Sequence, residues 1–278
     1  MNINTTPTPA DAPEHRDAAI VGALRRDLNG ILTIWLRDVR RFIRDRPRMI
    51  GSLVQPTLFL LVLGNGLGHG LFRGMGKDGG GVDYMAFIFP GIVAMTILFT
   101  SAFSAISVIW DREVGFLKEV LVAPVSRWAV TFGKVLGGAT VAVLQGCIMF
   151  LLAPVAGVSL PVLAILFMLP VMFLVALAMT AMGLAAAARM RSMQGFTVIM
   201  NFVVLPIFFL SGAMFPIQDL PAWLHTLVHL DPLTYGVDAL RGVTTGITDR
   251  AQSVNLGVLG LFGLGMLGLS VLAFSREG

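Results

Sequence analysis

The chain has 278 residues, 56% of them hydrophobic and 13% charged, with a net charge of +4 and a mean hydropathy of +0.82. A water-soluble domain carries about 25% charged residues, so this composition excludes an ordinary soluble protein. It also leaves no soluble face on which basic residues could gather as a nucleic-acid surface, and no nucleic-acid partner is expected.

Charge is absent from five stretches, 49–72, 84–110, 135–188, 192–218 and 251–275. A helix needs about 20 apolar residues to cross the hydrocarbon of a bilayer. Four of the stretches hold one span each. The longest holds two, turning between Ala153-Pro154 and Pro161. The expectation is an all-α, polytopic membrane protein with six spans at about 49–68, 85–109, 135–156, 162–186, 196–217 and 256–274. No ionisable residue falls within these spans. Ion- and proton-coupled transporters keep such groups in the membrane, so any energy source must lie outside the bilayer.

Residues 1–16 are polar and Pro-rich and lack the apolar core of a signal peptide. They read as a disordered tail. Residues 17–48 read as a cytoplasmic helix closed by Pro47. Leu24, Leu28, Ile31, Trp35, Val39 and Phe42 form an apolar stripe, and Arg37, Arg41 and Arg44 a basic one. That pattern suits an amphipathic helix lying among lipid headgroups. The transmembrane domain then occupies 49–278. Its spans contain Pro56, Pro90, Pro170 and Pro206, where bends are expected. The pairs Gly64/Gly68 and Gly133/Gly137 have the spacing that permits close helix approach. The single Cys147 lies in the third span and reads as a small apolar residue.

With the N-terminus inside, sixteen Lys and Arg residues fall in inner segments and four (Arg73, Lys77, Arg241 and Arg250) in outer ones. This bias predicts cytoplasmic termini and an inner-membrane, multi-pass protein. The inner segment 111–134 carries seven charges: Asp111, Arg112, Glu113, Lys118, Glu119, Arg127 and Lys134. At about 2.5–3.5 kcal/mol for each charge at mid-bilayer, it cannot be a span. Val114, Leu117 and Leu121 line one face of a short helix, Pro124 breaks it, and Ser126 can cap the next. A docking element and a plain solvated loop fit this pattern equally well.

On the outer side, 220–230 reads as a short amphipathic helix. Asp231 then caps a second helix with Pro232 at its first position and Gly242 as its stop. His225 and His229 share a face, but without Glu at 226 they do not form the H-E-x-x-H zinc pattern. Interfacial polar residues are the better reading, and no metal or cofactor is implied. No G-x-x-x-x-G-K-S/T phosphate loop and no G-x-S-x-G nucleophile elbow occurs, so nothing supports an enzyme.

Three groups of residues carry a resemblance. The first is Asp111-Arg112-Glu113 with Gly115 and Leu117, then Ala123-Pro124-Val125-Ser126-Arg127 and Gly133-Lys134. The second is Leu210-Ser211-Gly212-Ala213-Met214-Phe215-Pro216 leading to Leu220-Pro221. The third is Asp231-Pro232-Leu233-Thr234-Tyr235 with Asp238-Ala239-Leu240-Arg241. Over about 40–278 the chain resembles permease subunits of type-2 ABC exporters, the group of daunorubicin-resistance and nodulation-factor export permeases. It departs in having Asp111 where such permeases often have Glu, and Asp231 where they often have Asn.

The resemblance implies a permease that exports an amphiphilic substrate such as a drug, lipid or glycolipid, with ATP hydrolysed on a separate ABC ATPase subunit. It implies a coupling helix involving Asp111, Arg112, Glu113, Gly115, Leu117, Pro124, Ser126, Arg127 and Lys134. It places an outer re-entrant gate at Gly212, Pro216, Pro221, Asp231, Pro232, Tyr235 and Arg241. It also implies a homodimer of the permease, and an interfacial helix carrying Trp35, Arg37, Arg41 and Arg44 in contact with membrane lipid. The competing reading is an ATP-independent pore or a membrane-embedded enzyme or assembly factor.

Overall fold

The computed structural model describes residues 13–70, 84–113, 125–217 and 220–275. Within them every regular element is a helix: α1 (Pro13–Arg44), α2 (Arg46–Gly70), α3 (Tyr84–Ser104), α4 (Ile106–Glu113), α5 (Arg127–Phe150), α6 (Val162–Ala187), α7 (Met193–Leu210), α8 (Ala222–Leu230), α9 (Pro232–Thr245) and α10 (Gln252–Ser275). The chain is all-α and polytopic. Five stretches are long and apolar enough to cross a membrane: Tyr84–Glu113, Arg127–Phe150, Val162–Ala187, Met193–Leu210 and Gln252–Ser275. The pair α1–α2, bent by 71°, brings the number to as many as six if it counts as one broken span.

Helix α5 opens at Arg127, eight residues before the expected start of the third span at 135, and carries Lys134 inside it. A charge ends a span only when it must reach water, and Lys134 has partners within the protein. Helix α5 stops at Phe150, and Gly157, with φ 71°, closes the following turn, where the Val158 N–H donates to the Ala153 carbonyl at 2.9 Å. Pro56, Pro90, Pro170 and Pro206 all lie inside continuous helices. At the break between α3 and α4 the Ser104 hydroxyl donates back to the Ser101 carbonyl at 2.7 Å.

The centre of the bundle is α3, whose residues from Ile88 to Leu98 are almost entirely buried. Helices α2, α5, α6, α7 and α9 pack around it. A β-carbon on Gly183 of α6 would lie 2.5 Å from the Ala102 carbonyl oxygen, so glycine sets how closely α6 approaches α3. Helix α7 meets the centre through aromatics. Phe208 lies edge-on to Phe59 and Phe99, and Phe196 edge-on to Phe103. Its opposite face is open, with Phe202 79% exposed.

Helix α1 does not stand apart from the bundle. It runs beside the first half of α5 in the same direction, from Asp27 next to Ser126 to Trp35 next to Thr140. The Gly133/Gly137 pair serves this contact. β-Carbons there would meet the Ile31 backbone and the Asp38 side chain at 3.1–3.2 Å. The apolar stripe expected on α1 is therefore divided. Ile31 and Phe42 are buried against the protein, whereas Leu24 and Leu28 are exposed together with Val21, Leu32 and Ile43.

Candidate functional site

The two flanks of the charged segment come together at one end of the bundle. Asp111, at the end of α4, is 6% exposed and Lys134 is 8% exposed. Lys134 Nζ donates to Asp111 Oδ2 at 2.8 Å and lies 3.5 Å from Asp38 Oδ2. Arg37 Nη2 reaches Asp111 Oδ2 at 3.0 Å and Asp38 Oδ1 at 3.3 Å. Two acids and two bases from α1, α4 and α5 thus close a compact cluster. Isolated, any of these buried charges would be costly, whereas together they satisfy one another. Asp38 escaped the sequence reading, since the lysine it meets lies 96 positions away along the chain.

The arginines on either side hold helix ends. The Arg112 guanidinium donates to the Met190 carbonyl at 2.6 Å and the Ala188 carbonyl at 3.2 Å, where α6 ends and the chain turns toward α7. Arg127 Nη1 donates to the Phe274 and Ser275 carbonyls at 3.3 and 2.9 Å, the last turn of α10. The final carbonyls of a helix have no partner within it, and charge-assisted donors satisfy them here. Ser126 occupies the N-cap position of α5, but its side chain makes no cap bond. Its backbone N–H donates instead to Asp27 Oδ1 at 2.8 Å, which ties the segment to α1. Glu113 is exposed at the end of α4. Gly115, Leu117 and Pro124 lie outside the described residues.

Of the residues expected on the interfacial helix, Trp35 donates its indole N–H to Thr140 Oγ1 at 3.0 Å. Arg37 enters the charge cluster, while Arg41 and Arg44 are exposed at the end of α1.

The other end of the bundle is built around α9, which packs among α3, α6 and α10. Asp231 caps α9 as expected, accepting from the Leu233 N–H at 2.9 Å, with Pro232 in the first turn. It is only 5% exposed, and burial pushes its carboxyl from the ordinary 3.8 up to about 7, against the hydrogen bonds from Leu233 and Thr234. Gly242 is not the stop. The helix continues to Thr245, and Gly246, with φ 72°, supplies the left-handed cap.

Arg241 is 6% exposed, its guanidinium 3.7 Å over the Phe87 ring and its Nη2 donating to the Gly212 carbonyl at 2.9 Å. Burial lowers its pKa to about 10, with Asp249 and Asp238 opposing, so it remains a cation near neutrality. Gly212 turns the chain after α7 with φ 67°. Pro216 lies in the bend that follows, and Pro221 is the N-cap residue of α8. Tyr235 donates its hydroxyl to the His229 carbonyl at 2.9 Å and lies 5.0 Å from the Arg250 guanidinium. Arg250 can only donate, so His229 Nε2 accepts from it at 2.8 Å and Nδ1 carries the proton toward the His225 carbonyl. The structure adds Asp238, whose carboxylate accepts from the Asp249 and Arg250 N–H groups and from Asn255 Nδ2.

Two outcomes follow. Replacing Lys134 by Met leaves two carboxylates to share the single Arg37 and should cost about 3 kcal/mol. Adding Asp111→Leu should recover most of that, which a double-mutant cycle by thermal melting of the purified protein reads as coupling. Asp231 binds its proton more tightly folded than unfolded, so its contribution is fullest below pH 4 and is lost as the pH rises through about 7. Melting temperature should therefore fall between pH 5 and 8, and Asp231→Asn, which keeps the cap oxygen, should flatten that fall.

The profile of the ABC-2 type transporter family matches residues 29–244. Among known proteins, the chain is 31% identical to nodulation protein J of Rhizobium leguminosarum bv. trifolii, over 74% of this chain and 78% of that one. It is 26% identical to the inner membrane transport permease YadH of Escherichia coli K12, covering 83% and 88%. It is 28% identical to a putative transport permease of Cyanophora paradoxa, ycf38, covering 73% and 70%. With the helical bundle and its spans, these matches make the chain a member of the ABC-2 type transporter family of membrane permeases.

Proposed function

We propose that this permease is the membrane half of an ATP-driven exporter, energised by a separate ABC ATPase and moving an amphiphile out of the cytoplasm. One observation carries the reading. The segment between α4 and α5 is fastened at both flanks, by Arg112 to the end of α6, by Arg127 to the end of α10, and by Asp111 and Lys134 to α1. A force applied to that segment therefore reaches three further helices, α1, α6 and α10, besides the two it joins. A plain solvated loop has no need of such fastening.

In this reading the charge cluster lies on the cytoplasmic side, in keeping with the distribution of Lys and Arg, and both termini face the cytosol. Glu113, Gly115, Leu117 and Pro124 belong to the surface that meets the ATPase. The exposed apolar residues of α1 rest in the inner leaflet. Two permease copies complete the translocation path, and the open face of α7 suits the contact between them. The pair α8–α9 forms a re-entrant outer gate held by Arg241 on Gly212. Trp223 and Leu230, 67% and 74% exposed, suit its immersion in lipid.

The test is purification in mild detergent from the native membrane with mass spectrometry of associated chains. A P-loop ATPase should accompany the permease in near-equal amount. Glu113→Lys, which reverses one exposed charge, should lower that recovery at least about tenfold while leaving membrane abundance unchanged. The permease recovered alone, in a detergent that preserves other ABC complexes, would return the chain to a pore that works without ATP.

A further inference from the structure

A cavity of about 310 Å³ lies between the α1–α2 elbow and the helices α3 to α6. It is large enough for a small organic molecule. Its character changes along α3. At one end it meets Asp38, Lys134 and Ser107, and at the other Met95 and Phe99. Ser104, level with the polar end, is nine residues from Met95, about 13 Å of helix. A polar head and a short apolar chain fit end to end in that length.

The floor is shaped by the lack of a side chain. A β-carbon on Gly138 would lie 2.5 Å from Ser104 Oγ and 2.7 Å from Thr180 Cγ2. Beside it Thr180 lines the cavity. It is 1% exposed, and its hydroxyl has no hydrogen-bond partner. A buried hydroxyl without a partner is costly, and this one borders space that a ligand could fill. The charges do not call for an ionic ligand. Asp38 and Asp45 are balanced on the lining by Arg41 and Lys134, and Lys134 is already held by Asp111 and Asp38. The remaining polar lining includes uncharged groups able to donate and accept: the Thr180 hydroxyl, the Ser104 oxygen and the Gln55 amide.

We propose that this cavity binds an amphiphile with an uncharged, hydroxyl-bearing head, the head against Thr180 and Ser104 and the chain along Phe99 and Met95. The site deepens the export reading and rests on it for its role, as the place where substrate is received from the inner leaflet within a single protomer. Its occupancy is measurable without ATP or transport.

The probe is a monoacylglycerol bearing a diazirine near the start of its chain, photolysed on the full-length permease in phosphatidylcholine nanodiscs, with the labelled peptides mapped by mass spectrometry. Labelling should concentrate on α3 and α6 at the cavity. It should fall roughly threefold to tenfold in Thr180→Val, which preserves volume and loses one hydrogen bond. Gly138→Ala, whose β-carbon would press on Ser104 and Thr180, should lower it as well. A fatty-acid probe of the same chain, with an ionised head, should label the cavity weakly.

Equal labelling by both probes, or labelling unchanged in Thr180→Val, would show an apolar hole indifferent to the head and would overturn the proposal. So would label spread evenly over the lipid-facing helices, which would leave the cavity to water. If the cavity labels as expected but no ATPase accompanies the permease, the export reading fails and the site stands. If the ATPase accompanies it and the cavity stays unlabelled, the site alone fails.

Discussion

A buried carboxylate must be answered, and Asp111 is answered by cations from two directions, Lys134 on α5 and Arg37 on α1. The rest of this end of the bundle depends on this constraint. It draws α1 against residues about 100 positions further along the chain, and it lets a charged residue sit two turns inside α5. The contact is then made close by glycines and fixed in register by Trp35 on Thr140 and Asp27 on Ser126. Because packed interfaces of this kind shift between discrete states and do not deform smoothly, α1, the end of α4 and the first half of α5 are expected to move as one body. In the proposed exporter, that body receives the push of the ATPase.

The opposite end of the bundle uses similar devices with neutral partners. Arg241 holds a carbonyl and an aromatic face, and Asp238 gathers the backbone N–H groups that lead into α10. These links tie α9 to α3, to the turn after α7 and to the start of α10. A change in how α3 and α6 sit, begun at the charged end, therefore has a short mechanical path to the other. Between the two ends lies the α3 core, a column of large apolar side chains with glycine-permitted contact to α6.

The spans were legible because a helix in lipid must be free of unpaired charge, and absence of charge can be read one residue at a time. The boundaries were less so, for the same reason. Lys134 looks like the end of a loop until its partners are known, and Asp111 and Asp38 lie 23 and 96 positions away. The caps divided likewise. Asp231 and Pro232 act locally and were legible. Gly242 had the right chemistry for a stop, but α9 passes through it because packing against α3, α6 and α10 rewards three further residues of helix. The pair Gly133/Gly137 was visible as spacing, yet only the fold shows that its partner is α1 and not another span. Arg112, Arg127 and Arg241 were identified from resemblance. Their partners are backbone carbonyls, which no side-chain pattern reveals.

The claim that α1 and the start of α5 move as one body can be tested with a covalent lock. A β-carbon on Gly30 would lie 3.6 Å from Val125 Cβ, within the range a disulfide spans. In a Cys147→Ser background, Gly30→Cys and Val125→Cys should close a bond on mild oxidation, joining α1 to the chain just ahead of α5. ATP turnover by the reconstituted complex with its ATPase should be the same locked and reduced. Turnover that stops on oxidation and returns on reduction would show that the two must separate during the cycle, and would contradict the account.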